Sequence, residues 1–127
     1  MVADDDTDLR EEIAAALAGD GFEVVQAVDG DQLLEAVIRA FSDDSGRPLY
    51  DAIVTDVMMP GFSGLDVLTA MRARTARIPV LVMTGFCDDR TRRMATSLGA
   101  LAVFSKPFEL DDLRTALVHA LGPRRRT

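Results

Sequence analysis

Residues Tyr50-Asp51-Ala52-Ile53-Val54-Thr55-Asp56-Val57-Met58-Met59-Pro60-Gly61 form a short apolar run that ends in a carboxylate and a Pro-Gly pair. β-Branched Ile53 and Val54, together with the shortness of the run, favour a buried strand over a helix. Asp56 is then placed at the carboxyl end of a strand, which is the edge of an open α/β sheet where ligands bind. Taken alone, the pattern is also compatible with an Asp56 that only caps a turn.

Short β-rich runs alternate with helical patterns along the chain, which is typical of parallel strands joined by crossover helices. Right-handed crossovers then give a doubly wound α/β sandwich of five strands and five helices. The first strand is expected to be short, because only Met1-Val2-Ala3 precede a run of acidic residues. The predicted strands are residues 1–3, 22–28, the run ending at 56, 78–85 and 101–105, and the helices begin near Thr7, Asp29, Leu65, Asp88 and Leu110. Thr7 is the expected cap of the first helix, Met94 and Leu98 are the expected apolar contacts of the fourth, and Gly61 and Gly64 are interpreted as turn residues.

Composition limits the classes of function. The 127 residues are 48% hydrophobic and 28% charged, which fits one domain over residues 1–121, with residues 122–127 as a tail or the start of a linker. A net charge of −7 argues against nucleic-acid binding by the folded domain. No apolar run approaches the roughly 20 residues of a membrane helix, and the acidic N-terminus is unlike a signal peptide, so we expect a cytoplasmic protein without membrane contact. Cys87 alone forms neither an internal disulfide nor a zinc site.

Side chains that bear chemistry follow four of the predicted strands. Asp4-Asp5 follow the first, Asp56 the third, Thr84 the fourth and Lys106 the fifth. In a parallel sheet these ends share one edge, so three carboxylates, a hydroxyl and an ammonium group converge. Clustered carboxylates repel one another unless a cation neutralises them, and oxygen ligands favour Mg²⁺.

Such a site suits phosphoryl transfer. Lys106 provides a mobile point charge for a phosphoryl oxygen, and Thr84 donates a hydrogen bond to another. Asp56 is then the nucleophile that forms an acyl phosphate. The site would stabilise in-line phosphoryl transfer by positioning the reacting groups and neutralising their charge.

In this arrangement the chain resembles the receiver domains of two-component response regulators over nearly its whole length. The resemblance implies a flavodoxin-like sheet with strand order 2-1-3-4-5. It also implies a signalling module and not a turnover enzyme, with a possible homodimer and an output domain or partner that the sequence does not name. The motifs that carry the resemblance are Asp4-Asp5, Thr55-Asp56-Val57-Met58-Met59-Pro60-Gly61, Met83-Thr84-Gly85 and Ser105-Lys106-Pro107-Phe108.

The resemblance also assigns roles. Asp56 would accept a phosphoryl group from a sensor histidine kinase or phosphotransfer protein, and Lys106 would pair with the phosphoryl oxygens while Thr84 moves toward them as a switch. The bond between Lys106 and Pro107 would be cis. The implied Mg²⁺ ligands are Asp4, Asp5, Asp56 and the backbone carbonyl of Met58.

The sequence departs from the family pattern at several positions. The family usually has an aromatic residue three positions before the lysine, where this chain has Val103, and strand alternation places neighbouring Phe104 on the opposite face. The side chains that flank the attacking water in the family are here the apolar Met58 and Phe86, which predicts slow self-dephosphorylation.

Three alternatives compete with a phosphorylation switch. Val103 and the short first strand would suit a degenerate receiver that acts as a phosphorylation-independent interaction scaffold. A phosphatase of the aspartyl-phosphate type would carry an acid where this chain has Met58. A flavin carrier would need aromatic residues to cover its ring, and the chain has no Trp and one Tyr.

Overall fold

The computed structural model describes residues 1–40, 50–61, 63–72, 78–85 and 88–122. The predicted loop over residues 42–48, Phe86, Cys87 and the tail beyond residue 122 lie outside these ranges. Within them, strands and helices alternate as β1 (Val2–Ala3), α1 (Thr7–Gly19), β2 (Gln26–Ala27), α2 (Gly30–Ala40), β3 (Ile53–Asp56), α3 (Gly64–Arg72), β4 (Val80–Thr84), α4 (Asp89–Ser97), β5 (Ala102–Ser105) and α5 (Leu110–Leu121).

The five strands form one sheet in the order β2-β1-β3-β4-β5, and every neighbouring pair is parallel. This confirms the predicted doubly wound fold and its short first strand. The register aligns the carboxyl ends, because Ala3 pairs with Thr55, Asp56 with Met83 and Thr84 with Ser105. Residues that follow these strands are therefore delivered to one edge of the sheet.

Two apolar layers cover the sheet, and β4 shows why. Its residues are all buried and alternate between the layers, with Val82 in one and Leu81 in the other. Helices α1 and α5 pack on the Leu81 face through side chains such as Leu17 and Leu117. Helices α2, α3 and α4 pack on the Val82 face.

The strand β2 is much shorter than predicted. Residues 22–28 have the composition of a strand, but only Gln26 and Ala27 form a ladder. β2 lies at the edge of the sheet and β1 is its one neighbour, so the two residues of β1 limit its pairing. At the amino end of β1, a cavity of about 320 Å³ lies between residues 22–25 and residues 50–52.

Two helix details also differ from the sequence-based expectation. The carboxylate of Asp6, and not the hydroxyl of Thr7, caps α1 by accepting from the Leu9 N–H at 3.2 Å. On α4 the fully buried residue is Ala95, whereas Met94, predicted to be an apolar contact, is 44% exposed. No helix in the described parts of the chain combines the length and apolar character needed to cross a membrane.

Candidate functional site

Three carboxylates meet at the carboxyl edge of the sheet. Asp4 and Asp5 follow β1, and Asp56 is the last residue of β3. One oxygen from each lies within 4.8 Å of the others, as the sequence predicted. Asp4 and Asp56 are buried while Asp5 is exposed, so the cluster is anchored in the protein and open to solvent on one side.

Lys106 connects two of these carboxylates. It follows β5, and its Nζ donates to Asp4 Oδ2 at 2.8 Å and to Asp56 Oδ2 at 2.6 Å. The peptide bond between Lys106 and Pro107 is cis, as the family resemblance implied. One ammonium group thus lies between the two buried acids and offsets part of their repulsion.

The remaining carboxylate oxygens of the buried acids accept backbone hydrogen bonds. Asp4 Oδ1 accepts from the Asp6 N–H at 2.9 Å, and Asp56 Oδ1 accepts from the Met58 N–H at 3.0 Å. These bonds fix both side chains and place the Met58 peptide beside the Asp56 carboxylate. The Met58 side chain itself is exposed.

Burial and ion pairing oppose each other at this site. Burial raises the pKa of Asp56, while the hydrogen bonds from Lys106 and Met58 act to lower it. Burial lowers the pKa of Lys106, but its hydrogen bonds to Asp4 and Asp56 outweigh this effect and the net pKa is raised. Lys106 therefore remains a cation at neutral pH. It faces carboxylates whose remaining mutual repulsion a further positive charge would reduce.

Thr84 is buried at the end of β4, next to the lysine. Its carbonyl accepts from the Lys106 N–H at 2.8 Å, so the two residues are linked through the backbone. Val103 packs against the α4 side of the sheet. Phe104 lies on the opposite side, with its ring centroid 5.7 Å from that of Phe108, which confirms the predicted alternation.

Sequence reasoning missed two residues that shape the site. Gly64 was interpreted as a turn residue, yet it begins α3 directly against the backbone of Asp56. Arg10 was not singled out, yet its buried guanidinium donates to the backbone carbonyl of Asp4 at 2.9 Å. A glycine at the first position of a helix and an arginine one turn into an apolar helix face were the available signals.

A parallel sheet in this order, with an acidic cluster and a lysine at its carboxyl edge, defines the α/β receiver class. The family model described as the response regulator receiver domain matches residues 1–118. The chain belongs to this family, and it is a signalling domain of the two-component response-regulator type.

Named relatives give the same assignment. The transcriptional regulatory protein FixJ of Azorhizobium caulinodans is 38% identical over 122 residues, which cover 95% of this chain and 54% of that protein. PrrA of Mycobacterium tuberculosis is 38% identical over 125 residues, which cover 98% of this chain and 50% of that protein. The chain therefore spans about half the length of the curated relatives it matches.

Among solved structures, the signal receiver domain of the response regulator NarL from Mycobacterium tuberculosis superposes with a TM-score of 0.81 at 26% identity, covering 97% of this chain and 94% of that one. The chemotaxis protein CheY4 of Vibrio cholerae superposes with a TM-score of 0.79 at 26% identity, covering 94% of this chain and 95% of that one. Both similarities cover at least 94% of this chain.

Proposed function

We propose that this domain is a phosphoacceptor switch in which Asp56 takes a phosphoryl group from a sensor histidine kinase or a phosphotransfer protein. The observation that carries the proposal is the meeting of Asp4, Asp5 and Asp56 within 4.8 Å, with Lys106 donating to two of them. Such a set of charges suits a reaction whose catalysis consists of positioning and electrostatic stabilisation.

The acidic cluster fits Mg²⁺. All of its donors are oxygens, which is the ligand set that this ion prefers. The proposed ligands are Asp5 and Asp56, the backbone carbonyl of Met58, and Asp4 directly or through water. When bound, the ion would neutralise the carboxylates and the incoming phosphoryl oxygens.

In the proposed reaction a carboxylate oxygen of Asp56 attacks phosphorus. A new O–P bond forms, the P–N bond of the donor phosphohistidine breaks, and the imidazole leaves with the bonding electron pair. Lys106, already 2.6 Å from Asp56, stays close enough to pair with a phosphoryl oxygen. The Thr84 hydroxyl then donates to another oxygen, which couples the chemistry to the backbone at the end of β4.

Signalling would follow from the change at the end of β4 that the new Thr84 hydrogen bond produces. We propose a receiver domain over residues 1–121, with residues 122–127 as a tail or the start of a linker, and an output domain or a separate partner protein that responds to phosphorylation. Arg90, Arg92 and Arg93 are exposed on α4, a helix that follows Thr84, and they offer a basic surface to such a partner. With a net charge of −7, the domain itself is not proposed to bind nucleic acid.

One observation favours a second function, that of a phosphorylation-independent scaffold. Val103 occupies the position on β5 where the family resemblance implied an aromatic residue coupled to Thr84, and it packs into the core beside α4. Without that aromatic residue, a shift of Thr84 would move no ring. The surface that contacts the partner would then be the same with and without phosphorylation.

Intact mass after incubation with acetyl phosphate and Mg²⁺ separates the two functions. We expect one added phosphoryl group on the wild type, none on Asp56→Asn, and an unchanged adduct on Asp111→Asn, which removes an exposed acid on α5. Omitting Mg²⁺ should abolish the adduct. An absence of adduct on wild-type protein that circular dichroism shows to be folded would contradict the switch and favour the scaffold.

A further inference from the structure

Arg10 is a buried arginine on α1, with only 7% of its surface exposed. Its Nε donates to Gln26 Oε1 and its Nη1 donates to the backbone carbonyl of Asp4, both at 2.9 Å. Among the residues that the structure describes, no carboxylate lies within ion-pair distance of Arg10. Its two acceptors are both neutral groups.

Such an arrangement is unfavourable for stability alone. Removing a cation from water is costly, and the cost is recovered only when charged partners and hydrogen bonds satisfy the buried group. A neutral carbonyl and an amide oxygen recover less than a carboxylate does. The burial of Arg10 is therefore better explained by the groups that it holds in place than by a contribution to stability.

Arg10 holds the end of a very short strand. β1 has two residues, so few ladder bonds fix the peptide of Asp4, whose N–H donates to the Ala27 carbonyl at 3.2 Å. The Asp4 carboxylate is already engaged by Asp6 and Lys106. The guanidinium adds a planar donor from a helix to the Asp4 carbonyl, and Gln26 on β2 holds the guanidinium in turn.

We infer that Arg10 is a positioning residue that fixes the Asp4 peptide and thereby aims the Asp4 and Asp5 side chains toward Asp56 and a bound Mg²⁺. The inference rests on the proposed function, because it concerns the metal pocket of the same site. Arg10 acts through the backbone of Asp4 and bonds to none of the three carboxylates itself. Groups that orient metal ligands in this way typically change metal affinity by about 10- to 100-fold when removed.

Two substitutions separate geometry from charge. Arg10→Lys keeps the positive charge but loses the planar fork, whereas Arg10→Met loses both and keeps an unbranched stem. Arg114→Met is the matched control, because Arg114 joins α5 to Asp20 at the far end of α1, about 15 Å along the helix from Arg10.

Calorimetric titration with Mg²⁺ gives the first measurement. We expect the Mg²⁺ dissociation constant to rise about tenfold in both Arg10 variants and to stay unchanged in Arg114→Met. Labelling by acetyl phosphate should need more Mg²⁺ but reach nearly the wild-type rate at saturation. Charge alone predicts no change in the Mg²⁺ dissociation constant for Arg10→Lys and a lower one for Arg10→Met, since a more negative pocket binds Mg²⁺ more tightly. Unchanged or tighter binding in the Arg10 variants would overturn the inference.

Hydrogen exchange at the Asp6 amide gives a readout that needs neither metal nor phosphate. This N–H donates to Asp4 Oδ1, so its protection should fall in both Arg10 variants and persist in the control. If the wild type bound no Mg²⁺, the proposed function would fail while the Asp6 amide still tested the role of Arg10. Unchanged protection in the folded Arg10→Lys variant would overturn the positioning role.

Discussion

Gly64 lies so close to Asp56 that a Cβ at position 64 would be 2.3 Å from the Asp56 carbonyl oxygen. The Gly64 N–H also donates to the Val57 carbonyl at 3.1 Å, so the first residue of α3 is joined to the end of β3. Because the contact involves backbone on both sides, a side chain at position 64 cannot be accommodated by a rotamer change.

We therefore expect Gly64→Ala to lower the free energy of unfolding by about 2 kcal/mol, as overpacking does, and to reduce phosphoryl labelling of Asp56. Urea denaturation and intact mass measure the two effects. Gly19→Ala is the control, because no atom lies within 4 Å of a Cβ built there. Equal stabilities of the two variants would show that the contact between positions 64 and 56 relaxes without cost.

Lys106→Met should destabilise the domain in the absence of Mg²⁺. The substitution leaves the buried carboxylates of Asp4 and Asp56 without their shared cation, and we expect a loss of roughly 3 kcal/mol at neutral pH. Adding Mg²⁺ should restore part of this loss, because a bound cation takes over the neutralisation. Urea denaturation with and without the ion measures both effects, and a loss that Mg²⁺ leaves untouched would contradict a metal at this cluster.

Met58→Asn should shorten the lifetime of the phosphorylated form. The exposed Met58 side chain follows Asp56 by two residues and has no group to orient an attacking water, whereas an amide does. We expect decay of the adduct to accelerate roughly tenfold, which is modest beside full general-base catalysis. Met94→Asn, an exposed methionine on α4, is the control. Identical decay rates in a time course of intact mass would count against this role.

The amino group of Met1 predicts a pH dependence of stability. Burial lowers its pKa from 8.0 to about 6, although Asp51 opposes the shift, and the group donates to the Ala52 carbonyl at 3.3 Å. The unfolded chain therefore binds this proton more tightly than the folded chain. Stability should fall as the pH drops from about 8 through about 6, by up to about 2 to 3 kcal/mol.

Urea denaturation across this pH range tests the expectation on protein prepared with Met1 as its first residue. Protein acetylated at the Met1 nitrogen lacks the titrating group, so its stability should vary less over the same range. Parallel pH profiles for the two preparations would show that the amino group is solvated in the folded state.

The strand ends were predictable because the information is local. Asp56, Thr84 and Lys106 each follow a run of β-branched or apolar residues, and parallel topology then places them at one edge. The convergence of the acids and the faces of Val103 and Phe104 were confirmed on this basis. The strand order, which is also confirmed, was implied by the family resemblance and not by the local pattern.

The sequence-based predictions that were wrong concern features that depend on tertiary contacts. Residues 22–28 have strand composition, but a ladder needs a partner of matching length, and β1 provides two residues. Met94 looked like the apolar contact of α4, yet the helix approaches the core closely enough that the small Ala95 fills the position. The close contact at Gly64 and the hydrogen bond from Arg10 also depend on where a helix meets the end of a strand, so the local signals at these two residues did not identify their partners.

The ion pair between Lys106 and Asp4 joins residues 102 positions apart, which follow β5 and β1, two strands that β3 and β4 separate in the sheet. No contiguous fragment short of nearly the whole domain contains both partners, so a nascent chain that has not yet released β5 presents no complete acceptor site. Closing so long a loop costs entropy that only the finished sheet repays. A kinase that requires this geometry would therefore phosphorylate only the fully folded domain. Phosphorylation would then depend on the completion of folding.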